Sequence, residues 1–425
     1  VAATFSEHLP PLPRLTDDLP GTGGRLRVSM EDFEVTELPM YEPSGQGTHS
    51  YLWIEKRGIA TMELVQRLAR ALGRNPRDFG IAGLKDARAV TRQWVSIEHV
   101  DDRRLEGFAG DGWRVLRVSR HGNKLKIGHL RGNEFAITIR DVVPDAAARA
   151  RAVVDRLVRV GVPNLFGGQR FGLRGDSHLI GRAIVAGQWR EVCDVLLGRP
   201  SEADPPRGRQ FRSLYDAGRY QGARAVVPPG HREHIAVLDA LIRTRGDFGR
   251  AARAMPKNMM RFFVSAWQSA LFNEVTACRM PHLGQLMAGD LAWLHDRGAV
   301  FIVEDATAEQ PRADRLEISP SGPLFGGRMK QAGGRPGQIE REVLAASGLD
   351  ERALMRNKLL RGGRRPMRVP LAGAEIDDIS PGAIRVRFSL PAGTYATVVM
   401  DEIMKCGPAG DDDAATPSMD ADDES

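Results

Sequence analysis

The stretch "AIRVRFSLPAGTYATVVMDEIMKC" (383–406) reads as a strand, a Pro/Gly turn and a helix. It follows a long, mostly helical section. A terminal strand in that place fits a return to a sheet begun near the N-terminus, which makes the middle of the chain an insertion. The first section supplies that sheet. Residues 25–38 alternate around Phe33 and Val35, and 49–57, 91–98, 112–121 and 134–143 read as further strands. Thr61 can cap a helix whose apolar face is Met62, Leu64, Val65, Leu68 and Leu72, with Gly73 as its stop. A second helix over 144–161 opens on proline and closes on glycine. The fold class expected is α+β, with a substantial antiparallel sheet. The Gly-rich "PNLFGGQRFGLRGD" (163–176) marks a change, and helices dominate from there to about residue 369, among them 259–280. A Gly/Pro-rich segment with short strands (281–338) and a helix near 338–347 complete that section. The expected division is therefore 1–163 and 370–407 as one domain, 164–369 as an inserted one, and 408–425 as an acidic, disordered tail.

Composition narrows the function. The chain has 425 residues, 42% hydrophobic and 27% charged, as in globular proteins. No apolar run approaches the roughly 18 residues of a membrane span, and the N-terminus lacks the pattern of a secretory leader. Cys193, Cys278 and Cys406 are widely spaced and form no C-x-x-C, so a reducing cytoplasm is expected and a disulfide framework is not. The net charge of +6 understates the body, because 411–425 holds seven acids and no bases. Of 60 basic residues only eight are lysine. Arginine pairs bidentately with phosphate and stacks on bases, so a nucleic-acid partner is indicated, although GC-rich coding gives a similar composition.

The chemistry centres on "GIAGLKDARAVTRQWVSIE" (80–98), which crowds Asp86 among Lys85, Arg88 and Arg92. An aspartate in a turn ordinarily caps backbone N–H groups. Basic neighbours favour its charged form and suit it to nucleophilic work beside a polyanion. No second carboxylate stands at glycosidase spacing, and the G-x-S-x-G elbow, the Walker A loop and the dinucleotide G-x-G-x-x-G are all missing. His231 and His234 form an H-x-x-H without further acids or thiols at ligand spacing, and no metal is expected.

Six segments in order resemble the TruD family of tRNA pseudouridine synthases: "EDFEVTE" (31–37), "AGLKDARAVTRQW" (82–94), "KLKIGHLRGNEFAITIR" (124–140), "GVPNLFGGQRFG" (161–172), "SAWQSALFNEV" (265–275) and "LPAGTYAT" (390–397). The resemblance implies a pseudouridine-synthase-like catalytic domain with a helix-rich insertion. It implies a cytoplasmic, monomeric isomerase that acts on the D-arm uridine of tRNA at position thirteen, with no cofactor and no metal. The family's nucleophilic aspartate falls on Asp86, the uracil-site phenylalanine on Phe33, the G-N-x-F pair on Asn133 and Phe135, the aromatic near the substrate on Tyr395, and a basic residue, often lysine, on Arg27. A target uridine must leave its stack, which costs a few kcal/mol. Stacking on Phe33 or Phe135 can return about 1–3 kcal/mol, and the Asn133 amide can pair with the uracil imide. Asp86 then attacks C1′ or C6, or removes the 2′ proton. Two departures stand out: Arg27 replaces lysine, so it cannot shuttle protons, and Leu165 stands where an aromatic is frequent. A non-catalytic RNA-binding or tRNA-folding protein on the same scaffold is the alternative. Each aromatic also fits an ordinary core position, and Asn133 an ordinary turn.

Overall fold

The computed structural model describes residues 11–357 and 359–406, so the acidic tail lies outside it. Its described residues divide into two compact units, one of 13–164 with 368–406, the other of 11–12 with 165–367.

In the first unit, β1 (Phe33–Pro39), β2 (His49–Arg57) and α1 (Thr61–Leu72) are followed by the short β3 (Gly80–Ile81), β4 (Val90–Glu98), β5 (Ala109–Gly110), β6 (Trp113–His121) and β7 (Leu130–Arg140). Then come α2 (Ala146–Val160) and β8 (Val162–Pro163). The strand expected from residue 25 begins only at Phe33, because Met30–Asp32 form a 3-10 turn. Asp32 holds that turn: it accepts the Ser29 N–H at 2.7 Å and receives the Arg140 guanidinium at 2.7 Å. Burial pushes the Asp32 carboxyl up, but the hydrogen bonds from Arg140 and Ser29 outweigh it and leave the carboxyl below its usual range. α1 also starts differently from the sequence reading. Ala60 is the N-cap and Thr61 the first helical residue, which leaves its hydroxyl for another partner.

The second unit runs through α3 (Ser177–Ala186), α4 (Trp189–Leu197), α5 (Pro206–Asp216), α6 (Tyr220–Ala225), α7 (Arg232–Arg243), α8 (Phe248–Arg253) and the long α9 (Lys257–Arg279). A small sheet follows, built from β9 (Leu291–Leu294), β10 (Val300–Ile302), β11 (Ile318–Leu324) and β12 (Gly363–Pro366), with α10 (Ala306–Asp314), α11 (Gly334–Ala346) and α12 (Glu351–Arg356) between its strands. Apolar helix faces make its core; Trp267 on α9 and Phe211 on α5 are among the most buried side chains.

The chain then re-enters the first unit with β13 (Arg368–Val369), β14 (Ala372–Ser380), β15 (Ala383–Pro391) and α13 (Ala396–Met404). Among the described residues, the main sheet runs β14-β15-β7-β1-β4-β2-β6-β5, with β3 on β4. β15 pairs antiparallel along the whole of its length with β7, so the last strand does rejoin the first sheet. One pair, β1 with β4, is parallel, an exception to the antiparallel expectation. β14 escaped the sequence reading because it is an exposed edge rich in acids. Such charges suit an edge strand, and here Glu375 and Asp377 meet Arg387 across the ladder at 3.3 and 2.6 Å.

The register decides what the buried face carries. Lys56, Thr91, Val35, Phe135 and Phe388 are successive cross-strand partners on β2, β4, β1, β7 and β15, and all are buried. The next row places Glu37 opposite Asn133 and Asn133 opposite Leu390. Gly132 is obligatory beside them, since a Cβ there would stand 2.2 Å from the Leu390 carbonyl oxygen. Glu37 points inward and pairs with the equally buried Lys85 at 3.1 Å. Burial pushes the Glu37 carboxyl up and the Lys85 ammonium opposes that shift.

Two stability outcomes follow. Phe388→Ala removes a ring stacked 5.4 Å from Phe135 and should cost about 3–5 kcal/mol in urea unfolding. Glu37→Ala strands a buried ammonium and should cost a similar 3–5 kcal/mol, whereas replacing both Glu37 and Lys85 by apolar residues should recover most of that loss in the same measurement.

Candidate active site

Asp86 sits in the connection from β3 to β4, and the backbone of that loop is tied down from beneath. The Thr61 hydroxyl accepts the Lys85 N–H at 2.8 Å and donates to Gln93 Oε1 at 2.9 Å. Lys56 Nζ donates to the Asp86 carbonyl at 2.7 Å and to the Ile59 carbonyl at 2.7 Å. The Lys85 side chain turns down to Glu37. Asp86 itself points the other way, with its side chain 46% exposed.

Two of the cations expected around Asp86, Lys85 and Arg92, are engaged elsewhere. Lys85 belongs to Glu37, and Arg92 pairs with Glu34 at 3.2 Å and Glu55 at 2.9 Å. These carboxylates lie on neighbouring strands, where local sequence does not reveal them. Arg27 brings its guanidinium to the Asp86 carboxylate, with Nη2 3.0 Å from Oδ2. Arg27 is held in the left-handed backbone region, φ 55°. That conformation is uncommon for a non-glycine residue and concentrates where function over-determines geometry. Its side chain is only 16% exposed, because the guanidinium lies over the Phe33 ring, 4.5 Å from the centroid.

Phe33 is 3% and Phe135 7% exposed. Phe33 meets Phe135 edge-on at 6.4 Å, and Phe135 stacks on Phe388. The aromatics thus form a packed floor, and Arg27 covers one face of Phe33. Asn133 lies inside β7, so it is not a turn residue. Its Oδ1 is buried and has no hydrogen-bond partner among the described residues, an acceptor left open where most buried acceptors are satisfied. Tyr395 is half-buried at the N-cap of α13, in the turn that leaves β15 just beyond the Leu390–Asn133 pair. Arg27, Asp86, Phe33 and Phe135 are therefore in one chain of direct contacts, Asn133 is in the adjoining row, and Tyr395 is connected to them through the β15 register.

Sequence reasoning missed Glu37 and Lys56. Their signal was positional: each occupies an inward slot of an alternating strand, where a charge must find a partner or carbonyl oxygens. In the other unit, the H-x-x-H histidines have an acid at ligand spacing after all. Nδ1 of His231 and of His234 lie 3.4 and 2.8 Å from Glu233 Oε1. Burial pushes the Glu233 carboxyl up, but its hydrogen bonds to the two imidazoles hold it well below the usual carboxylate range.

Comparison with known proteins places these features. The family model described as tRNA pseudouridine synthase D (TruD) matches residues 13–403. A curated "tRNA pseudouridine synthase D" of Geobacter sulfurreducens is 47% identical over 92% of this chain and 96% of its own length. One from Anaeromyxobacter dehalogenans is 39% identical over 93% and 96%. A crystal structure from Methanosarcina mazei, assigned to TruD, superposes with a TM-score of 0.81 at 28% identity, covering 94% of this chain and 97% of that one. With its Asp86, Phe33 and Asn133 motifs in place along the matched length, the chain belongs to the tRNA pseudouridine synthase D (TruD) family.

Proposed function

We propose that this chain is an RNA pseudouridine synthase that isomerises a flipped-out uridine in the D-arm of tRNA, at position thirteen, with Asp86 as the nucleophile. The observation that carries this reading is the Arg27–Asp86 pair at 3.0 Å, part-open to solvent above the Phe33–Phe135 floor. In the reaction the N1–C1′ bond breaks and a C5–C1′ bond forms, while C5 gives up a proton and N1 gains one. The atoms balance within the uridine, so no redox partner or external group is needed.

Each residue has a physical task in this scheme. Asp86 opens the glycosidic linkage. Arg27 fixes the carboxylate through one guanidinium nitrogen and keeps donors for a phosphate or for developing charge. The buried Asn133 oxygen accepts from the uracil imide N–H, which gives an otherwise unmatched acceptor its partner. Phe33 and Phe135 furnish the apolar ground on which the detached ring turns, and Tyr395 closes the side next to β15. The two-part domain of 1–163 with 370–407 carries this chemistry, and the insertion of 164–369 adds surface for the tRNA. A reducing cytoplasm suits the three free cysteines, of which Cys278 is exposed, and the enzyme works as a monomer.

Asp86→Asn should abolish pseudouridine formation on an unmodified tRNA transcript, mapped by carbodiimide labelling, while filter binding of the transcript persists. Substantial turnover by this variant would remove Asp86 from its role. Transcript affinity should fall linearly with salt on logarithmic axes, with a slope of about −0.7 to −0.9 per phosphate contacted. A salt-independent affinity would contradict a phosphate-reading surface.

A further inference from the structure

Lys56 has no part in the scheme above, yet it is 0% exposed directly beneath the reactive loop. Its ammonium carries three N–H donors. They face three backbone carbonyls: Ile59 at 2.7 Å, Asp86 at 2.7 Å and Lys85 at 3.4 Å. Two of those carbonyls belong to the loop, and the N–H of one of the same residues is held by Thr61. Donor and acceptor numbers match only when the amine is protonated. A neutral amine offers two donors and a lone pair, which would face a carbonyl oxygen.

We infer that Lys56 is a positioning residue, whose charged ammonium clamps the backbone of the Asp86 loop and holds the carboxylate at Arg27 in its reactive orientation. The inference rests on the reading of Asp86 as the catalytic group. Burial costs the charged form heavily, and the Lys56 ammonium is pushed down to about 7. Three charged groups modulate it: the Asp86 carboxylate raises it, Lys85 lowers it, and Glu63 on α1 raises it. Its cross-strand partners, Thr91 and Trp113, carry no charge. Glu55 and its partners Arg92 and Arg114 are engaged with one another.

The direction of the pH effect separates positioning from folding. The unfolded lysine keeps its proton to a higher pH than the folded one. Between the two values the unfolded state binds more protons, so the Lys56 contribution to stability rises as pH increases. The clamp behaves oppositely and is lost as pH rises through the lower of the two values. Raising pH through neutrality therefore loosens the loop without unfolding the protein.

The test measures single-turnover pseudouridine formation on an unmodified tRNA transcript, at saturating enzyme, from about pH 6 to about pH 9, alongside thermal unfolding. For the wild type we expect a rate that declines on the alkaline side with no matching fall in melting temperature. Lys56→Met should be slower by about 100-fold near pH 6, the scale of a misplaced reacting group, should bind transcript as wild type does, and should lack the alkaline decline. A flat wild-type profile, a decline that tracks unfolding, or a Lys56→Met rate equal to wild type at every pH would each overturn the inference. If Lys56→Met fails to fold, the wild-type comparison of rate with melting still decides. Asp86→Asn run in parallel keeps the two readings apart. Turnover by that variant defeats the assignment of Asp86, whereas its inactivity together with a fully active Lys56→Met defeats only the clamp.

Discussion

The site depends on the register of β7 between β1 and β15. Side chains alternate faces along a strand, so a slip of one residue would send Asn133 and Phe135 to the opposite face. The pairing that prevents this is specific. Phe135 is fixed by Val35 on one side and Phe388 on the other, and Asn133 by Glu37 and Leu390. Gly132 allows the backbones to close at the point where any side chain would collide. A buried apolar row thus sets where the polar groups of the next row stand. The aromatic residues contribute to the site first through packing, whatever they later do for a base.

On this frame the charges divide by depth. Glu37 and Lys85 are buried against each other, Arg92 bridges Glu34 and Glu55 part-way out, and Arg27 meets Asp86 nearest the solvent. The loop sequence Lys85–Asp86 is split between the two extremes: the ammonium points into the sheet and the carboxylate out of it. The backbone between them is then held by a hydroxyl acceptor from α1 and an ammonium donor from β2. Anchoring by the first residue and exposure of the second reconcile a reactive group that must be accessible with a position that must be rigid.

Much of this was legible in the sequence, and what was not has a common cause. Strands β2, β4 and β6 and helices α1, α2 and α9 announce themselves by periodicity and by Pro or Gly at their ends, and the return of β15 follows from a strand pattern after a helical section. The motif residues Arg27, Phe33 and Asp86 converge in space as well as in pattern. Partner choice for Lys85 and Arg92 is the part that failed. The loop cations looked like company for Asp86, but Lys85 and Arg92 find carboxylates on strands far away in sequence. Thr61 looked like a cap and instead holds the loop. Lys56 was read only as part of a strand. Long-range polar pairing leaves little trace in a local window, whereas apolar periodicity leaves a strong one.

The order in which the sheet is completed has a consequence for synthesis. β7 is made early, but its partner β15 follows about 240 residues later, after the whole of 165–367. At about 5–20 residues per second, the nascent chain carries an unpaired β7 flank for roughly twelve to fifty seconds. An open strand of that kind invites pairing with other chains. The half-built sheet on the ribosome is therefore the aggregation-prone species of this protein, and a chaperone that shields strand edges would act there, before the final segment emerges.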